Sequence, residues 1–135
     1  MEKDFALRLS SEIGIDVQQV IREEVELIFL KGLFESNVSD SLVFKGGTAL
    51  RLIYGSPRFS EDLDFSLTSA ISSADFKKNI TKIVKTDARF FIKDLATKYY
   101  TYLAEIGIKE PWQDLSFSLK IEISKRPAKI RASEY

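Results

Sequence analysis

Two segments of this chain alternate polar and apolar residues one for one. From Asp62 to Leu67, Leu63, Phe65 and Leu67 fall on one side and Asp62, Asp64 and Ser66 on the other. From Leu115 to Ser124, Leu115, Phe117, Leu119, Ile121 and Ile123 oppose Ser116, Ser118, Lys120, Glu122 and Ser124. Side chains alternate across a strand with a period of two, so each segment reads as a β-strand with one face in a core. The opposite faces carry three carboxylates, Asp62, Asp64 and Glu122.

The remaining segments mix helical and extended patterns, which makes the fold class α/β. Residues 4–11 read as a short helix. Asp16 can N-cap a longer one, with Gln19 at the capping-box position. Its apolar stripe is Val17, Val20, Ile21, Val25, Ile28 and Phe29, and Gly32 is the expected stop. Leu42-Val43-Phe44 reads as a short buried strand. Ala49 to Tyr54 reads as a helix closed by Gly55, with Pro57 beyond it. Ser72-Ser73-Ala74-Asp75 is a helix start, and the expected helix runs to about Ala96. Residues 97–113 give no clear pattern, and Trp112 and the tyrosines there read as packing. No repeat or internal boundary divides the chain, so 1–135 forms a single domain.

Composition removes several chemistries. The 135 residues suffice for one core, and 44% are hydrophobic. There is no cysteine and no histidine. Disulfides, thiolate metal sites, histidine general bases and Ser-His-Asp triads are therefore excluded. Any bound metal must take oxygen ligands, which favours Mg²⁺, Mn²⁺ or Ca²⁺. No apolar run is long enough to cross a bilayer, and a cytoplasmic location is the simplest reading. Net charge is zero but uneven. Residues 119–135 carry five basic and two acidic side chains, a local balance of +3. That tail suits a polyanion; a solvated, frayed terminus is the plain alternative.

The polar strand faces have two readings. Asp62 and Asp64 lie two apart, so their carboxylates share a face and repel unless a cation lies between them. The bland reading is a wet edge strand. Glu122 on a second polar face favours convergence, and three acidic oxygen ligands suit a two-metal phosphoryl-transfer site. Lys120 shares that face and can contact a phosphate; otherwise it forms an exposed charge pair with Glu122. Gly46-Gly47-Thr48 precedes an apolar helix. Glycines admit close approach by a phosphate, and a helix N-terminus attracts the anion. Thr48 can cap the helix or donate to a phosphate. The Walker, dinucleotide and EF-hand patterns are absent on spacing.

The stretch from Phe44 to Phe65 resembles the signature of nucleotidyltransferases of the DNA polymerase β type. Lys45-Gly46-Gly47-Thr48-Ala49-Leu50, Tyr54-Gly55, Arg58-Phe59-Ser60 and Asp62-Leu63-Asp64-Phe65 more closely resemble the AbiEii/AbiGii toxin-like branch. The resemblance implies a mixed sheet flanked by helices. It implies a metal-dependent nucleotidyltransferase of a toxin–antitoxin or phage-defence system, moving a nucleotide from a nucleoside triphosphate to an RNA such as tRNA. Asp62, Asp64 and Glu122 would be catalytic and hold Mg²⁺ or Mn²⁺. Gly46, Gly47, Thr48, Arg58, Ser60 and Lys120 would bind the nucleotide. A cognate antitoxin protein is an implied partner. Two features depart from the pattern. Fourteen residues separate Gly47 from Asp62, slightly more than the superfamily usually shows, and the second helical half of typical members is missing. A non-catalytic remnant that binds nucleotide or a partner is the alternative, and a plain domain with a wet sheet face is a third reading.

Overall fold

The computed structural model describes residues 1–55 and 62–127. In chain order they form α1 (Lys3–Ile13), α2 (Val17–Phe34), a 3-10 turn (Ser39–Ser41), β1 (Leu42–Lys45), α3 (Gly46–Tyr54), β2 (Asp62–Leu67), α4 (Ser73–Lys85), β3 (Phe90–Thr97), β4 (Thr101–Ile108) and β5 (Phe117–Pro127). The strands make one mixed sheet in the order β1-β2-β5-β4-β3. β2 and β5 run parallel, while β1–β2, β5–β4 and β4–β3 are antiparallel.

Alternation decides which face is buried. Leu63, Phe65, Leu119, Ile121 and Ile123 are all fully buried. They share a core with Ile21, Val25, Phe29 and Leu33 of α2 and with Phe76, Ile80 and Ile83 of α4. Phe29 packs its ring 5.2 Å from that of Phe90, and Phe76 stacks 5.2 Å from Tyr102. α2 and α4 thus cover one sheet face, and hydrophobic burial there sets the register of every strand.

Local signals place most of the elements. Asp16 caps α2 by accepting from the Gln18 N–H at 3.2 Å. Ser72 caps α4 by accepting from the Asp75 N–H at 3.0 Å. Three expectations need correction. α2 does not stop at Gly32 but continues to Phe34. Gly32 serves close packing instead, since a Cβ there would lie 2.6 Å from Cδ1 of Ile83 on α4. The helix expected to reach Ala96 ends at Lys85, and Phe90–Thr97 is strand β3. Thr86 closes α4 by donating its hydroxyl to the Ile83 carbonyl, and Asp87 accepts from the Arg89 N–H, turning the chain before the aromatic run. Leu115 is 81% exposed, so the last strand begins at Phe117.

The aromatic residues of 97–113 divide. Trp112 packs against the core and donates its indole N–H to the Met1 carbonyl. Tyr102 is buried and donates its hydroxyl to the Ile71 carbonyl. Tyr99, by contrast, is 84% exposed, so the packing expectation fails for it. Among the described residues, no helix is long and apolar enough to cross a membrane.

Candidate nucleotide-transfer site

Parallel pairing of β2 with β5 brings the carboxylates together. Asp62 lies opposite Lys120, and Asp64 lies opposite Glu122. Partnered residues point to the same face, here the one that α2 and α4 leave uncovered. Antiparallel β1 adds Lys45 opposite Asp64. A row Lys45–Asp64–Glu122 therefore crosses three strands. A small cleft of about 60 Å³ opens on this row, lined by Lys45, Asp64, Phe65, Thr101, Glu122 and Ser124.

The electrostatics report the same grouping. The Asp64 carboxyl titrates above the usual range, chiefly because burial penalises its charge, then because Asp62 and Glu122 repel it; Lys45 and Lys120 oppose the shift. A half-buried carboxylate between two others is a place where a cation lowers the energy. The donor set, all carboxylate, suits a hard divalent ion. As placed, however, no group of three acidic side chains among the described residues is close enough to hold a metal ion.

α3 begins at Gly46, not at Ala49, with Lys45 as its N-cap residue. Gly46 has a φ of 86°, in the left-handed region. A Cβ at Gly46 would lie 2.8 Å from Oδ2 of Asp64. Only glycine meets both conditions. The glycine turn thus lies directly against the second aspartate, and Gly46 and Gly47 are exposed. N–H groups of a first helical turn have no partner within the helix and face outward with the positive end of the dipole.

Thr48 departs from expectation. It is 1% exposed, and its hydroxyl donates to the Asp62 carbonyl. That hydroxyl is committed to holding α3 against β2, so a role for it on a phosphate is not supported by this geometry. Its backbone N–H remains part of the first turn. Lys120 is exposed beside Asp62 and also lies opposite Glu105 on β4. Arg58 and Ser60 lie outside the described residues.

Lys45, Thr101 and Ser124 line the cleft without having been singled out in the sequence. Lys45 had a signal, since it directly precedes the glycine pair. Ser124 lies on the polar face read for the last strand. Thr101 had none, because β4 carries no clean alternation. A larger cavity of about 370 Å³ lies between α2 and α4, lined by residues including Lys31, Asn79 and Lys82. Among the described residues lining it, Glu35 is the single carboxylate. It is on the helical side, away from the acidic row, so size does not mark the chemistry here.

A mixed sheet with helices on one face and an acidic row beside a glycine-opened helix defines a nucleotidyltransferase-type fold. The family described as nucleotidyl transferase AbiEii toxin, type IV TA system, matches residues 28–133, and the chain belongs to it. A comparison with curated proteins gives no match. Among solved structures, JHP933 from Helicobacter pylori is similar at 27% identity and a TM-score of 0.65, over 87% of this chain and 47% of that one. MenT4, a nucleotidyltransferase toxin from Mycobacterium tuberculosis, shares the fold at 19% identity and a TM-score of 0.56, over 94% of this chain and 44% of that one. The chain thus spans less than half the length of either structure.

Proposed function

We propose that this chain carries the nucleotide-binding and metal-binding half of a toxin–antitoxin nucleotidyltransferase. It moves a nucleotide from a nucleoside triphosphate to an acceptor hydroxyl. The observation that carries this reading is the row Lys45–Asp64–Glu122 with the first turn of α3 against Asp64.

In this reading Asp62, Asp64 and Glu122 hold Mg²⁺ or Mn²⁺. A divalent ion so held would supply charge neutralisation at the triphosphate and would lower the pKa of the acceptor hydroxyl. The backbone N–H groups of Gly46, Gly47 and Thr48 cradle the phosphates. Lys45 and Lys120 neutralise phosphate oxygens, with Arg58 and Ser60 in the same nucleotide-binding set. The acceptor oxygen bonds to the α-phosphorus as the bond to pyrophosphate breaks, and the hydroxyl proton leaves to a carboxylate of the cluster. Positioning and electrostatics supply most of the rate in such transfers. The acceptor is an RNA, for which tRNA is the leading candidate. A cognate antitoxin is the protein partner, and the reaction is cytoplasmic.

The solved structures it resembles are about twice as long, and we assign the enclosure of base and acceptor to the part of their length that residues 1–135 do not match. Residues 1–135 assayed by themselves then bind nucleotide but turn over poorly. The test is transfer of labelled nucleotide from each of the four triphosphates to bulk RNA with Mg²⁺, beside calorimetry of triphosphate binding. Metal-dependent labelling that Asp64→Asn abolishes supports the reading. Binding without any transfer, even with a longer relative's second half supplied, would favour the non-catalytic remnant instead.

A further inference from the structure

The turn between β3 and β4 has a composition that its geometry does not demand. Lys98 donates its N–H to the Thr101 carbonyl at 2.8 Å, closing a tight hairpin whose two central residues are Tyr99 and Tyr100. Turns of this length favour Gly, Asn and Asp. Among the described residues no non-glycine position has a positive φ, so the tyrosines are not there to satisfy a left-handed backbone. Nor are they there for burial, since Tyr99 is 84% and Tyr100 51% exposed. Their rings meet edge to face, with centroids 4.5 Å apart. The edge contact steadies the Tyr99 ring, which stays largely exposed to solvent.

The tip adjoins the acidic cleft. The Tyr100 carbonyl accepts from the Lys125 N–H at 2.7 Å. The next residue, Thr101, pairs with Ser124, and both line the cleft beside Asp64 and Glu122. Lys98 is exposed on the tip, and Lys125 holds its ammonium 4.5 Å over the Tyr102 ring. Lys98 therefore puts a positive charge beside the exposed Tyr99 ring, while Tyr102, under Lys125, faces α4 and stacks on Phe76. Exposed aromatics beside cations are the means by which proteins hold single-stranded nucleic acid: the rings stack on bases and the cations meet the backbone.

Strand order separates this tip from the glycine turn. α3 opens beside β1 and β2, the carboxylates sit on β2 and β5, and the tip lies past them at the start of β4. Transfer at phosphorus proceeds with attacking and leaving oxygens roughly in line. If the triphosphate lies against α3, the acceptor must come from the opposite side, where the tip is. The geometry points to the Lys98-Tyr99-Tyr100 tip as an acceptor platform that stacks an unpaired base of single-stranded nucleic acid beside the cleft. This rests on the nucleotidyltransferase reading.

Fluorescence anisotropy with a labelled single-stranded RNA oligonucleotide tests it, with the matching duplex as control. The chain should bind the single strand more tightly than the duplex. Tyr99→Ala should weaken single-strand binding on the order of tenfold. Tyr99→Phe should restore it, because stacking needs the ring and not the hydroxyl. Both substitutions should leave the melting temperature nearly unchanged, as the side chain is solvent-exposed. Calorimetry with Mg²⁺ and free triphosphate should show no change in Tyr99→Ala. Unchanged oligonucleotide affinity in Tyr99→Ala overturns the proposal. An equal loss of triphosphate affinity overturns it too, since the tip would then hold the incoming base. Absence of single-strand binding by the unaltered chain also overturns it and turns attention to a protein partner for this tip. Failure of the transferase reading looks different: no triphosphate yields labelled product, while strand binding and its loss in Tyr99→Ala persist.

Discussion

Gly46 and Asp64 are in contact across the start of α3: a Cβ on the glycine would lie 2.8 Å from the aspartate Oδ2. The glycine also sits at a φ of 86°. Gly46→Ala therefore meets two penalties, a left-handed backbone and a collision with a carboxylate held between neighbouring strands. The expected outcome is a loss of about 1–3 kcal/mol in stability by denaturant titration. A larger proportional loss should appear in triphosphate affinity, because the first turn of α3 is displaced. Wild-type affinity in a destabilised variant would dissociate the glycine turn from phosphate binding.

Asp64→Asn and Glu122→Gln remove charge from a group of carboxylates that already repel one another. The metal-free variants should melt at or above the wild-type temperature. Added Mg²⁺ with a triphosphate should raise the melting temperature of the wild type and not of the variants. If the variants respond to Mg²⁺ as the wild type does, these carboxylates are not the ligands.

Thr48→Val keeps the shape of a buried side chain but removes the hydroxyl that donates to the Asp62 carbonyl. Leaving that acceptor without its donor should cost roughly 1–3 kcal/mol, measured by equilibrium unfolding, while Thr48→Ser should recover most of it. Triphosphate affinity in Thr48→Ser should match wild type. A Val variant as stable as wild type would mean that the hydrogen bond does not secure α3 to β2.

Glu26 supplies a pH dependence. It is 1% exposed, and its Oε1 has no hydrogen-bond partner among the described residues. Burial pushes its carboxyl up to about 8, with Arg22 opposing and Glu23 adding to the shift. Below the ordinary value of 4.5 the group is protonated in both folded and unfolded chains. Between there and about 8 the unfolded chain has lost the proton while the folded chain keeps it. Stability should therefore fall as pH rises through this window, by up to about 1.4 kcal/mol per pH unit from this group. Glu26→Gln should flatten that slope in denaturation curves taken at pH 5, 6, 7 and 8. An unchanged slope would mean that another group carries the dependence.

Much of the site was readable before any fold was known, because a strand's period of two places Asp62 with Asp64 and Lys120 with Glu122 on shared faces. Ser72 and Asp16 announced their helices through capping chemistry, and Gly55 closed α3. Reading failed where one residue type serves two ends. Gly32 looked like a stop and is a contact with Ile83. The run from Phe90 had helical neighbours and no alternation, since Phe91 lies over Gly107 while Lys93 falls at an irregularity in the β3–β4 pairing. With β3 and β4 hidden, nothing in the sequence could bring Thr101 or the Tyr99–Tyr100 tip to the cleft.

The amino-acid sequence by itself determined the chemistry on offer: oxygen ligands only, three carboxylates on alternating strands, and a glycine pair opening a helix. Whether the carboxylates meet was a matter for the tertiary structure. Asp64 faces Glu122 only because β5 enters the sheet parallel to β2 and between it and β4. Burial of Leu63, Phe65, Ile121 and Ile123 under α2 and α4 fixes that neighbourhood to the residue, since a slip of one position would turn the carboxylates into the core. The use of Thr48 was likewise decided in three dimensions, where folding α3 onto β2 set its hydroxyl on a backbone carbonyl that no sequence spacing reveals.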